Sequence, residues 1–148
     1  MKVLIVFGTK YGNTQKVGEL IAEGIRTGEG NEVEVKNVKD VDLSKEDSYD
    51  LILIGSPNHM GAHIESVKKF IKKFSNAPLK ANSFAVFDTY VTKDFEKAVK
   101  KMEKQINKVM PDLKKASSGL SIKVGGMKGP ILEKEIPKCK EFGIKLLN

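Results

Sequence analysis

At 148 residues, 40% of them hydrophobic and 30% charged, the chain has the composition of a single soluble globular domain over residues 1–148, large enough to bury a core and a ligand site. Its net charge of +7 is uneven, with 11 basic and 11 acidic side chains in residues 1–74 but 15 and 8 in residues 75–148; Arg26 is the only arginine, which argues against a nucleic-acid reader and for a solvated lysine face or a protein partner. A lone cysteine, Cys139, excludes an internal disulfide, a C-x-x-C redox pair and a cysteine-ligated cluster within one chain, and the apolar run at Val3–Phe7 is too short for a signal sequence or a membrane span, so the expected location is cytoplasmic.

Lys2–Phe7, apolar without a break from Val3, predicts a first strand covered on both faces. A helix follows from about Asn13, with Val17, Leu20, Ile21 and Ile25 at helical spacing and Gly28 and Gly30 to end it. Glu32–Lys36 alternates strictly, as a half-exposed edge strand does. The stretch Asp40–Asp50 is polar, and Ser44 with Asp47 offers a cap for a brief helix. Leu51–Ile54 predicts another central strand, and beyond it Ile64, Val67, Ile71 and Phe74 share one helical face while Lys68, Lys69, Lys72 and Lys73 point to solvent. Phe84–Phe87 predicts a fourth strand, followed by a buried helical stripe of Phe95, Val99, Met102, Ile106 and Met110 that belongs to the core. Leu120–Val124 alternates and predicts a second edge. Pro137 suits a first turn, so the closing helix starts near Glu135 and buries Ile136, Cys139, Phe142 and Leu146, with Cys139 structural.

Five strands alternating with helices, runs one, three and four central and runs two and five at the edges, give an α/β three-layer sandwich whose five-stranded parallel sheet has the order 2-1-3-4-5. Ligands of such sheets sit outside the carboxyl ends of the strands, at the switch point between strands one and three. The loops there are Thr9–Thr14, Ser56–Gly61 and Asp88–Val91. In the first, Gly8 and Gly12 permit tight turns, Thr9 and Thr14 carry hydroxyls, and the N–H groups opening the helix suit an anion, which predicts a phosphate-bearing ligand. No lysine stands where a nucleoside-triphosphate loop needs one, so a phosphate monoester fits better. His59 and His63 are four apart, but Pro57 and Gly61 place His59 in a loop, against a zinc site.

Strand-Thr9-x-Tyr11-Gly12-Asn13-Thr14-helix resembles the flavin mononucleotide (FMN) phosphate loop of flavodoxins, and Gly55-Ser56-Pro57-Asn58-His59-Met60-Gly61 is similar to their flavin-ring loop and to that of flavodoxin-like quinone reductases. The resemblance extends over nearly the whole chain, through Tyr49-Asp50 and Gly129-Pro130. It implies FMN as cofactor. Thr9, Tyr11, Gly12, Asn13 and Thr14 would hold the phosphate, and Lys10 either adds charge or faces water. Ser56, Pro57, Asn58, His59, Met60 and Gly61 would border the ring, with the Met60-Gly61 peptide free to reverse toward the reduced flavin and Met60 covering it. Asp88, Thr89 and Tyr90 form the third loop, with Tyr90 on the outer ring face. His59 is a candidate charge sensor or a plain exposed loop residue.

The resemblance implies a monomeric electron carrier between redox partner proteins, with no metal, nucleic acid or membrane. The alternative is a small NAD(P)H-dependent quinone or flavin reductase using the same site. Two features depart from the family pattern: a short third loop in a chain without tryptophan, and a basic charge where many electron-transfer flavodoxins are acidic. Lys93, Lys97, Lys100, Lys101 and Lys104 would steer an acidic partner. A signalling receiver domain shares the strand order but needs carboxylates where this chain has Gly8-Thr9 and Gly55-Ser56.

Overall fold

The computed structural model describes residues 1–147. In chain order the elements are β1 (Lys2–Phe7), α1 (Asn13–Arg26), β2 (Glu32–Asn37), β3 (Ser48–Pro57), α2 (Glu65–Phe74), β4 (Lys80–Tyr90), α3 (Lys97–Val109), β5 (Lys114–Lys115), β6 (Leu120–Lys123) and α4 (Ile136–Lys145). All strand pairs are parallel, and the sheet order is β2-β1-β3-β4-β5, with β6 also on β4.

The expected order 2-1-3-4-5 therefore holds, but the fifth position is shared by two short strands. Phe84 pairs with Lys115 and Phe87 with Leu120, so β4 advances three residues while the neighbouring chain advances five. The two extra residues, within 116–119, bulge out of the ladder and split the edge. The central strands run longer than their apolar cores, because β3 and β4 stay paired out to polar ends at Ser48 and Lys80.

Two apolar layers sandwich the sheet. On one side α1 and α4 pack against Val3, Ile5, Leu53 and Phe87, and on the other α2 and α3 cover Leu4, Val6, Ile52, Ile54 and Val86. Alternate residues of one strand serve opposite layers, which is why β1 and β3 read as unbroken apolar runs. Helices α1 and α4 meet backbone to backbone: a Cβ on Gly24 would overlap the Lys140 carbonyl, and one on Gly143 would overlap that of Ile21. Cys139 is buried in this layer and its thiol is pushed up to about 12 by desolvation, which keeps it protonated and unreactive.

Three local expectations differ. No helix forms at Ser44–Asp47; the Ser44 N–H and hydroxyl both donate to Asp42 Oδ1, an Asx turn that holds the backbone out of a helix. Phe95 is not on the α3 stripe. Helix α3 starts only at Lys97, after Glu96 at φ 62°, and Phe95 is left 56% exposed. Ile136 is likewise exposed, since it opens α4 on the solvent side, while Cys139, Phe142 and Gly143 face inward.

Candidate functional site

The carboxyl ends of β1, β3 and β4 open into a cleft of ≈ 330 Å³. Its first wall is the loop after β1. Gly12 takes φ 91°, a left-handed turn that costs glycine little, and α1 begins at the next residue with no side-chain cap and no acidic residue in its first turn. The Thr9 hydroxyl accepts from the Gly12 N–H at 2.9 Å and so fixes the loop. The N–H groups of Lys10, Tyr11, Asn13, Thr14 and Gln15 have no partner among the described residues. With the positive end of the α1 dipole behind them, they make a concavity suited to an anion.

The second wall is the loop after β3. His59 and Ala62 exchange both backbone hydrogen bonds, at 2.8 and 3.1 Å, around Met60 and Gly61, whose φ values are 52° and 80°. Positive φ at both central residues is the type I′ hairpin pattern; glycine adopts it freely and Met60 does so at some strain. Met60 stands 92% exposed at the tip. The Asn58 N–H donates to the Thr89 carbonyl at 2.7 Å, and its side-chain amide donates to Asp94 at 3.0 Å, which leaves Asn58 Oδ1 buried without a donor.

The floor is a pair of buried hydroxyls, Thr14 and Thr89, 3.1 Å apart, joining the first loop to β4. Behind it lies Asp88, fully buried, which accepts from the Ser121 hydroxyl and from the Val99 N–H in the first turn of α3. Burial pushes the Asp88 carboxyl up to about 6 despite those hydrogen bonds.

Of the residues expected at the site, Thr9, Lys10, Tyr11, Asn13, Thr14, Pro57, Asn58, His59, Met60 and Thr89 line the cleft. Gly12 and Gly61 shape its walls through their backbone. Ser56 stands behind it, accepting from the Ile64 N–H at the entrance to α2. Tyr90 is turned away, because alternate residues of β4 face opposite sides: Thr89 and Val91 reach the cleft while Tyr90 packs edge-on against Phe95 at 5.6 Å. The aromatic side chain in the cleft is that of Tyr11, 48% exposed. His63 does not join His59; its buried ring is hydrogen-bonded to Gln105 at 2.6 Å, and burial lowers its basicity.

Val91, Asp94, Val124 and Met127 complete the lining. Val124 and Met127 come from the turn after β6, which Gly125-Gly126 marks in the sequence but whose reach over the cleft depends on β6 lying beside β4. The cleft thus has two chemical characters: free N–H groups and hydroxyls at one wall, and Met60, Met127, Val91, Val124 and the Tyr11 ring elsewhere.

Comparison with known proteins agrees with this architecture. A family model described as "Flavodoxin domain" matches residues 4–122. A flavodoxin from Aquifex aeolicus is 44% identical over 71 residues, 47% of this chain and 37% of that protein. A flavodoxin from Maridesulfovibrio salexigens is 37% identical over 90 residues, 58% of this chain and 61% of that protein, so the matches span less than two thirds of either relative. Among solved structures, oxidised flavodoxin 2 from Bacillus cereus superposes with a TM-score of 0.79 at 23% identity, over 99% of this chain and 98% of that one, a likeness of fold. With the family model covering most of its length, the chain belongs to the flavodoxin-domain family.

Proposed function

We propose that this protein is an FMN-binding electron carrier, a monomeric single domain that shuttles one or two electrons between redox proteins in the cytoplasm. The observation that carries the reading is the two-sided cleft. An uncapped helix N-terminus with free N–H groups suits a phosphate monoester, and the methionine, valine and tyrosine surfaces suit a flat, largely apolar ring.

The residues present fit the cofactor on a second count. Asn58 Oδ1 is a buried acceptor without a donor, and Asp94 fixes the amide so that its oxygen remains available to a ring N–H. Bound flavin supplies the redox chemistry, accepting and returning electrons singly or in pairs. The free N–H groups of Lys10, Tyr11, Asn13, Thr14 and Gln15 would hold the phosphate, assisted by Thr9 and Lys10, with the Thr14–Thr89 pair bracing the loop against β4. Met60, Met127 and Tyr11 exclude water from part of the ring, and their exposure leaves an edge that a partner can reach. The protein's partners would be redox proteins with acidic docking surfaces, drawn by Lys93, Lys97, Lys100, Lys101 and Lys104.

The test is the spectrum of the purified protein during stepwise reduction, with NADPH–quinone turnover measured beside it. A yellow protein that is reduced in two resolved one-electron stages, without turnover, is the expected result. Steady-state turnover would instead make it a quinone or flavin reductase.

A further inference from the structure

The basic charge has a place in the fold that its distribution along the chain conceals. Helices α2 and α3, neighbours on one side of the sheet, carry nine lysines and two glutamates, a surplus of seven that equals the net charge of the whole chain. On the opposite side α1 balances two cations against two carboxylates, and α4 has a surplus of two. One layer of the sandwich therefore holds the equivalent of the entire excess. Little of it is neutralised locally. Lys97 pairs with Asp94 at 3.0 Å and Lys68 lies 3.9 Å from Glu65, while Glu103 is engaged by Lys115 at 3.4 Å. Lys69, Lys72, Lys73, Lys100, Lys101, Lys104 and Lys108 have no carboxylate within ion-pair distance among the described residues.

A second observation fixes which end of this layer matters. Three exposed large apolar side chains line the cleft, Met60 at 92%, Met127 at 74% and Tyr11 at 48%, and a fourth, Phe95 at 56%, follows the lining residue Asp94 in the chain. Met60 lies in the loop that leads to α2, five residues before Glu65, and Phe95 two residues before α3. The two loops adjoin, since the Asn58 amide is bonded to Asp94 and a Cβ on Gly61 would lie 3.8 Å from Lys97 Cδ. The molecule thus offers an apolar patch at its cleft, continuous with a lysine-rich face on one side and a near-neutral face on the other. Apolar centre and charged flank are the anatomy of a transient protein interface, in which contact area supplies affinity and charge supplies orientation and rate. A nucleic-acid surface would draw on arginine, and the only one, Arg26, lies on α1 and donates to the Val33 carbonyl.

We propose that the α2–α3 face, with Met60 and Phe95 at its upper edge, is the docking surface for an acidic electron-transfer protein, and that the one-sided charge sets the partner's orientation over the cleft. The proposal rests on the carrier reading above. It differs from general attraction between opposite net charges, because it requires reversal of lysines on α3 to matter more than the same reversal on α4.

The experiment compares two matched variants, Lys100→Glu/Lys101→Glu on α3 and Lys140→Glu/Lys145→Glu on α4, each shifting the net charge equally. Oxidation of the reduced flavin-loaded protein by hexacyanoferrate(III), a small anionic acceptor, is followed across ionic strength. At low salt the α3 variant is slowed at least about fivefold and the α4 variant less than about twofold, and all rates converge near ~0.5 M salt as charges are screened. Equal slowing, or rates indifferent to salt, overturns the proposal. Independently of any flavin, poly-L-glutamate added to the isotope-labelled protein is expected to shift the amides of α2 and α3 and not those of α1 and α4. A map centred on α1 and α4, or no map, overturns the docking face; a protein that takes up no flavin but keeps the α2–α3 map overturns only the carrier reading. Tighter binding of duplex DNA, or of phosphatidylserine vesicles, than of poly-L-glutamate at the same salt overturns the choice of an acidic protein.

Discussion

The two loops that face each other across the cleft are built on opposite principles. The Thr9–Thr14 loop is locked by its own hydrogen bond, backed by the dipole of a 14-residue helix and joined through buried Thr14 to buried Thr89. The Met60–Gly61 turn projects into solvent, with two consecutive residues at positive φ and a methionine nine-tenths exposed. A site of this kind divides its work. On the carrier reading the rigid wall would supply affinity for one fixed anion, because its donors are organised before the ligand arrives. On the same reading the exposed turn would supply cover and access, with a backbone held in a sparsely populated region that could respond to the state of the ligand. Substitutions on the two walls should therefore differ in kind: affinity on the first, spectrum and potential on the second.

The largest effect concerns the support behind the rigid wall. Asp88 is held at about 6 against an ordinary 3.8 by burial, so between those values the folded state binds a proton that the unfolded state has released. Stability consequently falls as pH rises from about 4 to about 6, and the whole penalty, about 3 kcal/mol, is present above that window. Denaturant titrations of wild type and Asp88→Asn across this range should differ by that slope, the wild type losing stability relative to the variant as pH rises from about 4 to about 6. An unchanged slope in the variant would mean that Asp88 is not a charged burden behind the cleft.

Next comes Asn13→Asp, which sets a carboxylate beside the phosphate position. It should weaken FMN binding by roughly tenfold to a hundredfold, with the far-UV spectrum unchanged, since repulsion replaces a donor at an anion site. Thr14→Val removes half of the floor pair and leaves the Thr89 hydroxyl without its partner, a loss of about 1 kcal/mol, or about fivefold in affinity. Smallest in affinity is Met60→Ala. Its side chain is already in water, so binding should change by less than about twofold while the flavin absorbance maximum and reduction potential move. A large loss of affinity from Met60→Ala, with little from Thr14→Val, would invert the division of labour.

Much of this was legible in the sequence where one local rule governs. The apolar runs at Val3–Phe7 and Leu51–Ile54 are unbroken because both faces of β1 and β3 are covered, and the strand order followed from which runs alternate. The first loop could be read because strand, glycine turn, hydroxyl and helix are contiguous. Legibility failed where the site depends on pairing across the sheet. Tyr90 was expected over the ring, yet the two-residue period of β4, counted from a register that only the fold supplies, turns Thr89 and Val91 to the cleft instead. Met127 and Val124 depend on the placement of β6 against β4, and no local pattern encodes that. The charge was misleading for the same reason. The lysines of α2 lie in the half of the chain that is neutral overall, and only packing α2 beside α3 joins them to the basic surface.

The most direct test of the account compares FMN with riboflavin, which carries the same ring without the phosphate, by fluorescence-quenching titration of the apoprotein. Several charge-assisted hydrogen bonds from residues 10–15, at about 1.5–3 kcal/mol each, make FMN at least about a hundredfold the tighter ligand. Equal affinity for the two, or no binding of either, would contradict a flavin nucleotide anchored by its phosphate at Thr9–Thr14.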